Sequence, residues 1–147
     1  ERSWLHADRG YVHFPDTKTD GQVRPIGQAA IQLLKALPEK RGLSLFFPSD
    51  FVDRPYSGVP ETLRALCAIA GIKGVTPHVL RHTFGSVAGD MGFSELTIKA
   101  LLGHGARGST QNYVHIDEAL RLAVERVSTK IANLLNGRES TILRLAA

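Results

Sequence analysis

Helix start and stop residues divide the chain after Val59 into four successive helical segments. In each segment, apolar residues recur at the three- and four-residue spacing of one helix face, and a glycine ends the pattern. The starts are marked by Pro60, Thr76, Ser94 and Asp117, and the ends by Gly71, Gly92, Gly103 and Gly137. A further short helix is predicted after Ser109. This part of the chain is therefore predicted to be helical.

The N-terminal part instead shows the short apolar runs and polar turns of a sheet. Tyr11–Phe14 and Val23–Ile26 are predicted to form a β-hairpin with Lys18 in its polar tip. Leu43–Phe47 is predicted as a third strand, and Gln28–Leu37 as a helix. The sequence thus predicts an α+β fold that is mainly helical, with a small antiparallel three-stranded sheet near the N-terminus.

Apolar stripes on the predicted helices indicate which faces meet in the core. They comprise Ala29, Ala30, Leu33, Leu34 and Leu37 in the first helix, Leu80, Phe84, Val87, Ala88 and Met91 after Thr76, and Leu120, Val124, Val127, Ile131 and Leu134 in the last. Cys67 shares a helix face with Leu63, Leu66 and Ala70, which predicts a small core residue. Because it is the single cysteine, an internal disulfide is excluded.

Charge and hydropathy narrow the class of protein. The chain of 147 residues carries a net charge of +4, which permits a polyanionic partner without requiring one. No apolar run approaches the roughly 20 residues that span a bilayer, and the first residues lack the apolar core of a signal peptide. We therefore expect a soluble intracellular protein with no membrane association.

The helix predicted after Thr76 places polar residues beside its apolar stripe. His78 and Arg81 are three residues apart in its first turns, so both can reach one point near a helix N-terminus that favours anions. This arrangement suits an oxyanion or phosphate. The alternative is a surface arginine and a histidine at the helix cap whose hydrogen bonds are satisfied locally. Gly85 and Gly89 follow on the same helix, where alanine would be a better helix former.

A second polar group lies in the segment LLGHGARGSTQNYVH. His104 follows the glycine that ends a predicted helix, and Tyr113 lies nine residues later. The alternatives are a histidine favoured by the helix dipole and a tyrosine that packs. The chain has no HExxH or CxxC motif, and carboxylates are scarce near His78 and His104, so no metal site is predicted. Walker A, GxGxxG and GxSxG motifs are also missing from the sequence.

Taken in order, HVLRH, LLGHG and Tyr113 resemble the tyrosine recombinase (phage integrase) family, as does Lys18-Thr19 in the preceding hairpin. SWLHADRGYVHF is similar to the family's strand before that hairpin. The resemblance implies an enzyme that cuts and rejoins double-stranded DNA without a cofactor, through a 3′-phosphotyrosyl bond to Tyr113. It further implies a homo-oligomer on DNA, a tetramer, in the cytoplasm at the nucleoid.

The resemblance also implies a role for each matched residue. Arg81 and His104 would bind the oxygens of the reacting phosphate, His78 would act as general base, and Lys18 would protonate the leaving 5′ oxygen. His82 would support these groups by a hydrogen bond. The sequence departs from the family at RPIG, where an arginine, a spacer and V-P-L are usual, so the resemblance assigns no role to Arg24.

The family pattern also places an arginine about nine residues before the tryptophan matched by Trp4, which falls before Glu1. We therefore expect residues 1–137 to be an N-terminally truncated catalytic domain, inactive alone, and residues 138–147 a tail that packs against a neighbouring protomer. Alternatives are a decayed relative, a DNA-binding module with helix-turn-helix-like contacts, and a type IB topoisomerase. A disordered terminus is the alternative for the tail. The sequence does not give the DNA site or the biological role.

Overall fold

The computed structural model describes residues 1–15, 21–40, 42–51, 53–103 and 118–138. Within these ranges a single turn of 3-10 helix, Arg2–Trp4, leads into a sheet of three strands, β1 (Leu5–His6), β2 (Tyr11–Phe14) and β3 (Gln22–Pro25). The helices are α1 (Gln28–Ala36), α2 (Val59–Ile69), α3 (Pro77–Asp90), α4 (Glu95–Leu102) and α5 (Glu118–Leu135). The predicted mainly helical α+β fold is confirmed.

The sheet is antiparallel and has the order β1-β2-β3. β2 agrees with its predicted bounds, and β3 begins one residue earlier than predicted, with Val12 opposite Arg24 and Phe14 opposite Gln22. The prediction of a third strand at Leu43–Phe47 is wrong, because the third strand is β1, paired with β2 through Leu5 and Val12.

Cap residues fix the ends of the helices near the candidate site. The Thr76 hydroxyl accepts a hydrogen bond from the Val79 amide at 3.2 Å, and the Ser94 hydroxyl accepts one from the Thr97 amide at 3.2 Å. Gly103 ends α4 in the left-handed region, with φ of +69°, which favours glycine. These three predicted ends of helices are confirmed.

The core lies where α3, α4 and α5 meet. Leu101, Ala123 and Val124 are buried, and Phe84, Phe93 and Leu120 pack against them. Val127 and Ile31 are also fully buried, which joins α5 to α1. The predicted stripe of α5 is therefore confirmed, whereas inward positions for Leu33 and Leu80 are wrong, since they are 70% and 51% exposed.

The face of α2 that contains Cys67 is only partly covered. Cys67 is half-buried and Leu66 beside it is 58% exposed, so the predicted core position of Cys67 holds only in part. No helix within the described ranges is both long and apolar enough to cross a membrane.

Candidate phosphate-binding site

The first turns of α3 carry three of the polar residues singled out in the sequence. Thr76 and Pro77 start the helix, and His78, Arg81 and His82 follow with exposed side chains. Residues three and four positions apart lie on one side of a helix, so the three side chains share a surface. The structure therefore brings together the part of the predicted site that lies on α3.

The two histidines contact each other directly. Their Nε2 atoms are 2.9 Å apart, and the rings meet edge to face with centroids 4.3 Å apart. A hydrogen bond between two ring nitrogens needs one N–H donor and one unprotonated acceptor. This hydrogen bond therefore orients the ring of His78 through its Nε2 atom. The Nδ1 atom of His78 is not used by the contact with His82.

Arg81 reaches across to the end of α4. Its Nη2 donates a hydrogen bond to the carbonyl oxygen of Leu102, the last residue of that helix. The carbonyl groups at a helix C-terminus carry partial negative charge, which favours a guanidinium there. Arg81 thereby links α3 to the C-terminus of α4, although Arg81 and Leu102 lie 21 residues apart in the sequence.

The glycines of α3 explain how α4 comes so close. A Cβ on Gly85 would lie 3.4 Å from Leu102 Cδ1 and 3.7 Å from Ile98 Cγ2. A methyl group here would already be in van der Waals contact, so a side chain larger than that of alanine, one turn after Arg81, would push the end of α4 away. Gly85 therefore serves helix packing, and that packing keeps the Leu102 carbonyl within reach of Arg81.

The sequence motifs assigned no role to Arg24. The departure from the family pattern at RPIG was the one signal that could have drawn attention to this residue. Its guanidinium lies against Gly103, and its Nη2 donates a hydrogen bond to Gln22 Oε1. Burial lowers the pKa of the Arg24 guanidinium, and the positive charge of Arg81 lowers it further. The site thus holds two neighbouring cations, one from β3 and one from α3.

The described residues contain only part of the predicted site. Lys18, His104 and Tyr113 lie outside the described residues, as do residues 139–147 of the tail and the predicted short helix after Ser109. In the described ranges, no group of three or more His, Cys, Asp or Glu residues is placed to hold a metal ion.

Comparison with known proteins identifies the family. The sequence model of the phage integrase family matches residues 3–119. The chain is 31% identical over 125 residues to tyrosine recombinase XerD of Chlorobaculum tepidum, covering 78% of this chain and 41% of that protein. XerD of Listeria innocua is 30% identical over 129 residues, covering 80% and 43% of the two chains.

A further relative, tyrosine recombinase XerA of Pyrococcus furiosus, is 42% identical over 69 residues, covering 46% of this chain and 23% of its own length. No solved structure matches significantly. The chain spans about two-fifths of the length of the XerD relatives. With a family match over most of its length, this chain belongs to the phage integrase family of tyrosine recombinases.

Proposed function

We propose that this chain is the catalytic part of a site-specific DNA recombinase that cuts and rejoins double-stranded DNA through Tyr113. The observation that carries the proposal is the hydrogen bond from Arg81 to the Leu102 carbonyl. It joins α3, which carries His78 and Arg81, to Leu102 at the end of α4. Because His104 comes two residues after Leu102 in the sequence, this contact supports a shared site for Arg81 and His104.

The proposed reaction exchanges one phosphate ester for another. The phenol oxygen of Tyr113 attacks phosphorus, a bond from phosphorus to the tyrosine oxygen forms, and the bond to the 5′ oxygen breaks. His78 accepts the phenol proton, and Lys18 gives a proton to the leaving 5′ oxygen. The phosphodiester energy stays in the covalent link, so the reverse reaction can rejoin DNA without nucleotide hydrolysis.

Arg81 and His104 would stabilise the transition state, which carries more negative charge on its equatorial oxygens than the ground state. A guanidinium presents a planar fork to two such oxygens, and preorganised donors of this kind are worth about 3 kcal/mol each. The exposed position of Arg81 supports this role, because its remaining N–H groups are open to a large substrate.

We further propose that residues 1–137 form the catalytic domain and that residues 138–147 pack against a neighbouring protomer in a tetramer on DNA. The apolar residues Ile142, Leu143 and Leu145 of the tail support this. Deletion of the residues after Gly137 should abolish cooperative assembly on DNA and leave the unfolding transition unchanged. Unchanged assembly would contradict the role of the tail.

Covalent trapping on nicked DNA tests the proposed function. The chain and the full product of its reading frame are incubated with a library of nicked duplexes, and denaturant-resistant adducts are mapped by mass spectrometry. We expect the full product to form an adduct at Tyr113 that Tyr113→Phe abolishes, and the chain alone to form none. Adducts that persist in Tyr113→Phe would refute the nucleophile. DNA binding without any adduct would favour the binding module.

A further inference from the structure

Two guanidinium groups contact consecutive residues at the end of α4. Arg81 donates to the carbonyl of Leu102, and the guanidinium of Arg24 lies over the Cα of Gly103. The absence of a side chain on Gly103 provides the space, because a Cβ there would overlap Nη1 and Cζ of Arg24. Two cations from separate elements therefore converge on one turn.

Nothing in the described part of the chain neutralises these two charges. No ion pair to a carboxylate is formed there by Arg24 or Arg81. Their hydrogen-bond partners are neutral, the side-chain amide of Gln22 and the carbonyl of Leu102. Like charges close together repel, and half-burial of Arg24 weakens the screening by water. An anion beside both groups would relieve this cost.

We propose that Arg24 is a second phosphate-binding guanidinium, which holds a DNA backbone phosphate together with Arg81. The proposal rests on the proposed function and adds to it a residue that the sequence motifs do not supply. A phosphodiester is a suitable anion, because its two non-bridging oxygens accept hydrogen bonds from guanidinium forks. Gln22 orients the Arg24 side chain, since it accepts a hydrogen bond from one Nη and leaves the other N–H groups for the phosphate.

We call the proposed phosphate site of Arg24 and Arg81 the clamp. A phosphate titration tests this clamp without relying on DNA cleavage. The isotopically labelled chain is titrated with inorganic phosphate at constant ionic strength, and the Nε–H signals of Arg24, Arg81 and Arg138 are followed. We expect Arg24 and Arg81 to shift with one common dissociation constant, while Arg138, which is exposed three residues after α5, does not shift with that constant.

Variants test whether the two groups act together. Arg81→Gln should weaken the response of Arg24 to phosphate about tenfold, and Arg24→Gln should do the same to Arg81, since each removes charge-assisted hydrogen bonds. Arg24→Lys keeps the charge without the fork, so its affinity should lie between those of the wild type and Arg24→Gln. Arg138→Gln makes the same change of charge elsewhere and should leave the affinity unchanged.

The outcomes separate this proposal from the function on which it rests. An Arg24 signal that ignores phosphate, or one that shifts independently of Arg81, would overturn the clamp. Normal adduct formation at Tyr113 by Arg24→Gln would also overturn it, while leaving the recombinase proposal intact. Coupled phosphate binding by the chain, with no adduct formed by the full reading-frame product, would support the clamp and refute the proposed chemistry.

Discussion

The guanidinium of Arg24 occupies the space that a Cβ on Gly103 would need. The contact joins β3 to the end of α4, beside the carbonyl that Arg81 binds. Gly103 therefore meets two requirements, a left-handed backbone with φ of +69° and an open position above its Cα. Either requirement favours glycine, and the two can be separated by substitution.

Gly103→Ala is expected to destabilise the fold more than Gly92→Ala, as measured by urea unfolding. Both residues have positive φ, so each alanine costs about 1 to 2 kcal/mol of backbone strain. No atom of the described residues lies within 4 Å of a Cβ on Gly92, so that variant isolates the strain. Overlap with Arg24 should add about 1 to 3 kcal/mol at Gly103. The added cost should disappear in an Arg24→Ala background, and its persistence there would contradict the contact.

Gly27→Ala is expected to disrupt the packing of α1 on α5. Gly27 precedes α1 in an ordinary extended conformation, with φ of −80°, so alanine causes no backbone strain. Its Cβ would overlap the Cβ of Ser128 and lie 3.1 Å from the carbonyl oxygen of Val124. We expect a loss of about 1 to 3 kcal/mol in the free energy of unfolding.

Ser128→Gly provides the matched control, because it removes the side chain that the new methyl group meets. The double variant Gly27→Ala with Ser128→Gly should be destabilised by less than the sum of the single variants. Strict additivity of the two losses would show that Gly27 and Ser128 do not contact each other.

Gly89→Ala is expected to stabilise the protein by about 0.5 to 1 kcal/mol, since alanine is the better residue inside a helix. Gly89 lies within α3, and among the described residues its new Cβ would meet only Ile98 Cδ1, at 3.9 Å. Gly85→Ala gains the same helix propensity against a tighter contact of 3.4 Å with Leu102, so its stabilisation should be smaller. A lower melting temperature for Gly89→Ala would show that α3 and α4 pack more closely than described.

The ends of the helices were predictable because their chemistry is local. Thr76 and Ser94 accept the hydrogen bonds expected of N-cap residues, and Gly103 adopts the left-handed conformation expected after a helix. Each of these roles depends on residues within one turn of the chain. The position of Arg81 on α3 followed from the same local pattern.

Residue patterns did not reveal the third strand, although the family resemblance of SWLHADRGYVHF indicated a strand in that segment, where Leu5 pairs with Val12. Leu43–Phe47 looks like a strand, but this segment packs against Arg2 instead. The Arg2 amide donates to the Ser44 carbonyl at 2.7 Å, and its guanidinium lies 4.9 Å from the centre of the Phe46 ring. The true strand, Leu5–His6, has two residues and is too short to show a period.

The role of Arg24 escaped prediction for a related reason. A strand pattern indicates which face a residue occupies, but not which distant turn packs against that face. The approach of Arg24 to Gly103 depends on how β3 and α4 are placed in three dimensions. Sequence therefore indicated the polar residues that α3 brings together and missed the approach of Arg24, which tertiary packing supplies, while Lys18, His104 and Tyr113 stay predictions.

The contact of His82 with His78 gives the last prediction, which concerns the rate of DNA cleavage. If His78 is the general base, the bond between the Nε2 atoms orients its ring. His82→Phe keeps an aromatic ring and removes that bond. In single-turnover trapping by the full reading-frame product, we expect the rate to fall about 3- to 10-fold, the value of one ordinary hydrogen bond.

DNA affinity should be unchanged in His82→Phe, because a positioning residue acts on the chemical step rather than on binding. Thr83→Ala is the matched control, since it removes a hydrogen bond of 3.0 Å to the Val79 carbonyl on the same helix without touching His78. Thr83→Ala should cleave at the wild-type rate. Equal rates for wild type and His82→Phe would show that His82 does not position the base, whereas equal losses in both variants would indicate a general weakening of α3.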